Sequence, residues 1–140
     1  MLDQAAQLDA ERREGRLRSK LLHGIPILVK DNISTRHEDG MDTTAGSFAL
    51  KGVKVDDAHI IDLLRKAGAL ILGKLNLSQW ANYRDGETLP PGWTSVGGQT
   101  TSAHFKDGNP KGSSAGSGPA ATLALAAATL GSETNGSIIT

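Results

Sequence analysis

The 140-residue chain carries 15 Lys+Arg against 15 Asp+Glu, contains no cysteine, and is 38% hydrophobic. Balanced charge gives no electrostatic footprint for nucleic acid or an anionic membrane, and the lack of cysteine removes disulfide frameworks and thiolate metal sites. The histidines, His23, His37, His59 and His104, show no metal-ligand spacing, so no metal and no cofactor is expected. The N-terminus is charged without a secretory core, and the longest apolar run, Pro119 to Leu130, falls short of the ~20 residues that cross a bilayer. A cytoplasmic protein is the default reading, with oligomeric state left open.

In chain order, residues 2 to 17 begin with Leu2, Ala5, Ala6, Leu8 and Ala10 and continue as an Arg/Glu-rich run, which predicts an amphipathic helix with a solvated second half. Gly24 punctuates it, and Ile25 to Val29 reads as a buried strand with Pro26 at its entry. Residues 32 to 56 read as loop. Asp57 to Lys66 carries Ile60, Ile61, Leu63 and Leu64 at helical spacing, Gly68 ends that helix, and Ala69 to Leu72 is a short apolar strand. Asn76 is placed to N-cap a short helix through Trp80 and Tyr83. Arg84 to Gly112 has no period, and loops beyond ~12–15 residues are mostly functional or disordered. A helix can start at Ser117, with Pro119 tolerated in its first turn, and Ala127 to Ser132 reads as a strand.

Gly68 to Lys74 nearly matches a phosphate-binding loop. Leu75 stands where a magnesium-binding Ser/Thr is needed, and the order helix, glycine, strand is inverted, which excludes that reading.

The chemistry concentrates between Gly112 and Ser137. A Gly/Ser-rich turn, G-S-S-A-G-S, opens this stretch and the Gly-flanked Ser137 closes it; the Ala/Leu/Thr segment between holds one charge, Glu133. Burial of that segment would bring the two polar turns together. Such turns supply hydroxyl nucleophiles and N–H donors for a developing oxyanion, but this stretch contains no histidine to act as base. Upstream, G-I-P-I-L-V-K-D-N places Lys30 at the end of an apolar run. A buried lysine sheds its proton readily and then serves as a general base, and serine with lysine is a known variant of the serine nucleophile arrangement. Asp31 reads as either a charge partner or a strand-end cap. His104, in the irregular stretch, reads as a surface residue.

These motifs in this order resemble the amidase signature family. The resemblance rests on G-I-P-I-L-V-K-D-N with Lys30, T-T-A-G-S at Thr43 to Ser47, A-G-A-L-I-L-G-K-L-N at Ala67 to Asn76, W-A-N-Y-R at Trp80 to Arg84, V-G-G-Q-T at Val96 to Thr100, G-S-S-A-G-S, and T-N-G-S-I. It covers essentially the whole chain. It implies an α/β fold, with a mixed, mainly parallel sheet flanked by helices. Residues 1–140 would form part of a larger domain, truncated at both ends and incomplete at the C-terminal side.

The implied function is hydrolysis of a small-molecule carboxylic acid amide through an acyl-enzyme. Ser137 would be nucleophile, Ser113 the bridging serine, Lys30 the base and Ser114 a hydrogen-bonding support. Backbone N–H groups of Thr134, Asn135, Gly136 and Ser137 would form the oxyanion hole, and the Gly112–Ser113 peptide bond would be cis. Lys111 departs from the family pattern, which has a small residue there, and bears on substrate preference. The alternatives are the ammonia-releasing glutaminase component of an amidotransferase and a non-catalytic truncated remnant.

Overall fold

The structure is a computed structural model that describes residues 1–83 and 88–139. Arg84, the last residue of the W-A-N-Y-R motif, lies outside the described residues. Helix α1 (Leu2–Arg13) leads to strand β1 (Pro26–Lys30). Helix α2 (His59–Lys66) is followed by β2 (Leu70–Leu75). Then come the short strands β3 (Trp93–Thr94) and β4 (Gly98–Gln99), helix α3 (Ser117–Thr122) and β5 (Ala128–Leu130). Strands β2, β1 and β5 form a three-stranded sheet with β1 in the centre, parallel on both sides; β3 and β4 form a separate antiparallel pair.

The core follows from the strand period. Ile27 and Val29 on β1 face inward and pack with Ile71 of β2, Ala69 and Ile61 of α2. Of the apolar α2 residues read from the sequence, Ile61 is fully buried and Leu64 half-buried, while Ile60 and Leu63 lie on the outer face. Helix α1 stops at Arg13, earlier than its charge pattern suggested, and buries only Leu8 and Glu11. Directed polar contacts hold it instead. The Arg12 guanidinium donates to the His23 carbonyl at 2.7 Å, Arg18 donates from Nε to Glu11 at 2.7 Å, and His23 Nε2 lies 2.8 Å from the Leu8 carbonyl.

Strand β2 extends three residues beyond the apolar run that predicted it, to Leu75. Gly73 and Lys74 interrupt the hydrophobic pattern but still pair with β1, past a register irregularity at Ile27/Leu28 that leaves Leu72 without an opposite residue.

Two expectations are corrected. Asn76 does not cap a helix. The short 3₁₀ turn at Gln79–Asn82 is preceded by Ser78, and Trp80 and Ala81 inside it have positive φ. The Asn76 side chain is committed to distant carbonyls and threonine hydroxyls, which removes it from capping. The Leu123–Ala127 segment is not buried: Leu123 and Leu125 are each 58% exposed. Strand β5 is an edge of the sheet and pairs only with β1, so among the described residues no element packs over this segment. The two polar turns meet without it.

The irregular stretch after residue 88 is organised by long-range hydrogen bonds rather than local period. Asn76 Nδ2 donates to the Gly92 carbonyl (3.1 Å), the Gly98 carbonyl (3.0 Å) and Thr100 Oγ1 (2.9 Å), and its Oδ1 accepts from Thr94 Oγ1 at 2.8 Å.

Candidate active site

In a parallel sheet the segments leaving the C-terminal ends of the strands emerge on one edge, which is where such sheets build sites. Here those segments are Lys30–Asn32 after β1, Asn76–Ser78 after β2 and Gly131–Ser137 after β5. The turn from Gly112 to Gly116, which leads into α3, rests on all three. Ser78 N–H donates to the Ser113 carbonyl at 3.1 Å, Gly116 N–H to the Asn76 carbonyl at 2.9 Å, and Ser114 N–H to the Ser137 carbonyl at 3.1 Å. Gly116 has to be glycine, because a Cβ there would sit 2.6 Å from the Asn76 carbonyl oxygen. The Gly112–Ser113 peptide bond is cis.

Lys30 and Ser113 are fully buried. Lys30 Nζ lies 2.8 Å from Ser113 Oγ, 3.1 Å from Ser114 Oγ and 3.0 Å from the Ser132 carbonyl. Ser113 Oγ lies 2.8 Å from Ser137 Oγ, closing a gap of 24 residues in sequence. The predicted residues Lys30, Ser113, Ser114 and Ser137 therefore meet in one cluster.

Counting protons fixes what the cluster can do. The Ser132 carbonyl only accepts, so it holds one N–H of Lys30. Ser114 Oγ sits 3.1 Å from that same carbonyl and gives its own proton there, so it can only accept from Lys30 and holds a second N–H. One position on Nζ remains, and it faces Ser113. When Lys30 is charged, that position is an N–H donating to Ser113. When Lys30 is neutral, it is a lone pair that accepts the Ser113 proton, and Ser113 in turn can accept the proton of Ser137. The cluster can therefore pass a proton in either direction, depending on the charge of Lys30.

Burial lowers the Lys30 pKa to about 8, a shift opposed by the negative charge of Glu133. The amine thus changes state near neutral pH instead of staying charged.

Asp31 is no partner of Lys30. Its carboxylate accepts Thr44 N–H and Gly46 N–H at 3.2 Å each and the Thr44 hydroxyl, capping the T-T-A-G-S turn. His104 is exposed, and among the described residues no bond joins it to the cluster.

The four N–H groups expected around an oxyanion are not equivalent. Gly136 N–H donates to Glu133 Oε1 at 3.0 Å. No hydrogen bond among the described residues engages the N–H of Thr134, Asn135 or Ser137. Ser137, Ser114, Gly112, Lys111 and Ile138 border a cavity of about 430 Å³. Lys111, at its rim, is exposed and has a φ of 62°, rare for a residue with a side chain.

The sequence reading passed over Asn32, Ser78 and Ser132, and gave Asn76 only a capping role. Asn32 and Ser132 exchange hydrogen bonds at 3.0 and 3.1 Å, tying the exits of β1 and β5 together. Ser78 Oγ accepts Gly92 N–H at 2.9 Å. Asn32 and Asn76 do close the K-D-N and G-K-L-N texts, which was the available signal.

Comparison with known proteins places the chain in a family. The family model described as Amidase matches residues 1–140. The chain belongs to the amidase family. It is 50% identical over 136 residues to a putative amidase of Arthroderma benhamiae, covering 96% of this chain and 22% of that protein. The native peptide amidase of Stenotrophomonas maltophilia superposes with a TM-score of 0.90 at 49% identity, over 97% of this chain and 27% of that one. One of the subunits of the glutamyl-tRNA(Gln) amidotransferase of Symbiobacterium thermophilum is 40% identical over 139 residues, covering 99% of this chain and 27% of that protein. The chain thus spans about a quarter of the length of these relatives. No helix among the described residues is long and apolar enough to cross a membrane.

Proposed function

We propose that the whole protein hydrolyses a carboxylic acid amide with Ser137 as nucleophile, Ser113 as proton bridge and Lys30 as base. The observation that carries this reading is the unbroken line Ser137–Ser113–Lys30, each step 2.8 Å, ending on a lysine whose pKa burial has lowered to about 8.

With Lys30 neutral, the Ser137 proton passes to Ser113 while the Ser113 proton passes to Lys30. The Ser137 oxygen forms its bond to the substrate carbonyl carbon, and the carbonyl oxygen gains the negative charge. The N–H groups of Thr134, Asn135 and Ser137 are the donors for that charge; Gly136 joins them only by releasing Glu133. The proton returns through Ser113 to the amide nitrogen, the C–N bond breaks, and the acyl group stays on Ser137 as an ester. Water then attacks with the same relay, releasing the acid. Ser114 keeps one Lys30 N–H occupied, so that the lone pair points at Ser113.

A peptide amidase is among the similar structures, which makes amidated peptides the first substrates to assay. Higher identity to the putative amidase than to the amidotransferase component (50% against 40%) favours an enzyme active without a partner protein.

A fluorophosphonate probe is expected to label Ser137 in the whole protein and not in Ser137→Ala; equal labelling of the two would overturn the assignment. Lys30→Ala is expected to lower turnover by ~10²–10⁴, the range for loss of a general base. Activity should rise as pH passes upward through about 8, because the working form of Lys30 is the unprotonated one.

A further inference from the structure

Glu133 is the one charge between the two polar turns, and the proposed chemistry gives it no role. Its carboxylate accepts three backbone N–H groups on either side of the nucleophile: Gly136 at 3.0 Å, Ile138 at 2.7 Å and Ile139 at 3.0 Å. These charge-assisted bonds come from the residue before Ser137 and the two after it, so the turn closes around the carboxylate with Ser137 on it. The Glu133 pKa lies below the usual carboxylate range, first because of the Gly136 bond, and Lys30 contributes as well. The charge is therefore present throughout the working pH range.

Among the described residues, the groups bonded to Lys30 carry no charge. From the turn before α3 it meets the hydroxyls of Ser113 and Ser114, and from the exit of β5 the carbonyl of Ser132. The Asp31 carboxylate is turned to Thr44 and Gly46. On the neighbouring strand, Lys74 donates to Ile33, Thr35 and Thr43. Glu133 directly follows Ser132, whose carbonyl holds Lys30 at 3.0 Å, and among the described residues its negative charge favours the protonated amine.

We propose that Glu133 is a positioning residue that sets both ends of the proton wire, holding the Ser137 turn by three backbone N–H groups and biasing Lys30 by its charge. The first action presents Ser137 to Ser113. The second keeps the base strong enough to draw a proton through two hydroxyls and to return it to the leaving nitrogen. A carboxylate does both, whereas an amide of equal size could support part of the turn but would leave Lys30 without its counter-charge. This proposal rests on the reading of Lys30 as the base.

The test is the rate of Ser137 labelling by a fluorophosphonate against pH, in the whole protein. Glu133→Gln is expected to slow labelling at the plateau roughly ten- to a hundredfold, as loss of alignment does. It should also move the acidic limb to lower pH by roughly 0.2–0.7 unit, the scale of a solvent-exposed charge pair. Glu133→Asp keeps the charge with a shorter reach, so the limb stays in place while the plateau falls. A slower plateau with an unmoved limb in Glu133→Gln would reduce Glu133 to turn support and overturn the proposal; so would a moved limb with an unchanged plateau. Should either variant fail to fold, salt decides on the wild-type protein. Raising ionic strength from about 0.1 to 1 M shortens the screening length from ~10 to ~3 Å and should lower the limb; an unmoved limb overturns the proposal. Lys30→Ala separates the two readings. If its residual labelling keeps the acidic limb, the base assignment falls and takes this proposal with it. If the limb vanishes with Lys30 yet ignores Glu133, only the proposal falls.

Discussion

Lys30 and Lys74 stand at the same end of adjacent parallel strands, where Lys30 pairs with Leu75 and Val29 with Lys74. Burial lowers both to about 8, against an ordinary value of 10.5, and in both an acid opposes the shift: Glu133 for Lys30, Asp31 first for Lys74. Each has three oxygen acceptors. For Lys74 these are the Ile33 carbonyl at 2.5 Å, Thr43 Oγ1 at 3.1 Å and Thr35 Oγ1 at 3.3 Å. The difference lies one bond further out. Thr35 Oγ1 hands its proton to the Met41 carbonyl at 3.0 Å, and there the chain of bonds stops. Ser113 continues to a second hydroxyl that borders a cavity. A lowered pKa thus marks burial, and connection to a reachable hydroxyl is what makes one of the two lysines a candidate base.

Direct substitution gives the widest separation between them. Lys30→Met should lose turnover by ~10²–10⁴, while Lys74→Met should keep kcat and melt at lower temperature, because three oxygens lose their donor and the 33–43 loop its anchor. Equal losses of kcat would erase the distinction between the two lysines.

A smaller effect sharpens the part played by the turn that joins Lys30 to Ser137. Gly116→Ala places a methyl 2.6 Å from the Asn76 carbonyl and should destabilise by ~1–3 kcal/mol, as overpacking does. Gly118→Ala, two residues on in α3, meets nothing within 4 Å and should be stabilising by up to ~1 kcal/mol through helix propensity. Denaturant melts of the two variants should move in opposite directions.

The smallest effect is shared by both lysines. Each holds its proton less tightly folded than unfolded, so between pH 8 and 10.5 the unfolded chain binds more protons and stability rises with pH. Lys74→Met removes one of the two contributions and should flatten that rise in urea melts at pH 8 and 10. An unchanged slope would mean that Lys74 is not buried as a cation.

Near and distant partners also separate the parts of the molecule that were legible in the sequence from those that were not. Strand β1 was readable because Ile25 to Val29 is a local apolar run bounded by Gly24 and a charged pair. The cluster was readable because Lys30, Ser113 and Ser137 each sit in a motif whose order resembles a family. Asn76 was misread because its side-chain partners lie at Gly92, Thr94, Gly98 and Thr100, and no window around residue 76 contains them. The end of β2 was missed for a related reason: Gly73 and Lys74 are strand residues only because β1 lies beside them. Glu133 was seen as a lone charge. Its work is done by backbone N–H groups, which every residue but proline carries, so sequence offers no sign of which ones it gathers.

Lys30 reaches its last acceptor, the Ser132 carbonyl, across 102 residues of sequence, and β5, which delivers that carbonyl, is only three residues long. Contacts between such distant segments carry the largest loop-closure penalty and form slowly. A growing polypeptide therefore cannot make this bond until the segment after β5 has been synthesised. Fraying of β5 would withdraw the Ser132 carbonyl and leave Lys30 its two hydroxyl partners, Ser113 and Ser114. Hydrogen exchange at Thr129 and Leu130 would report how often the strand that delivers this carbonyl opens.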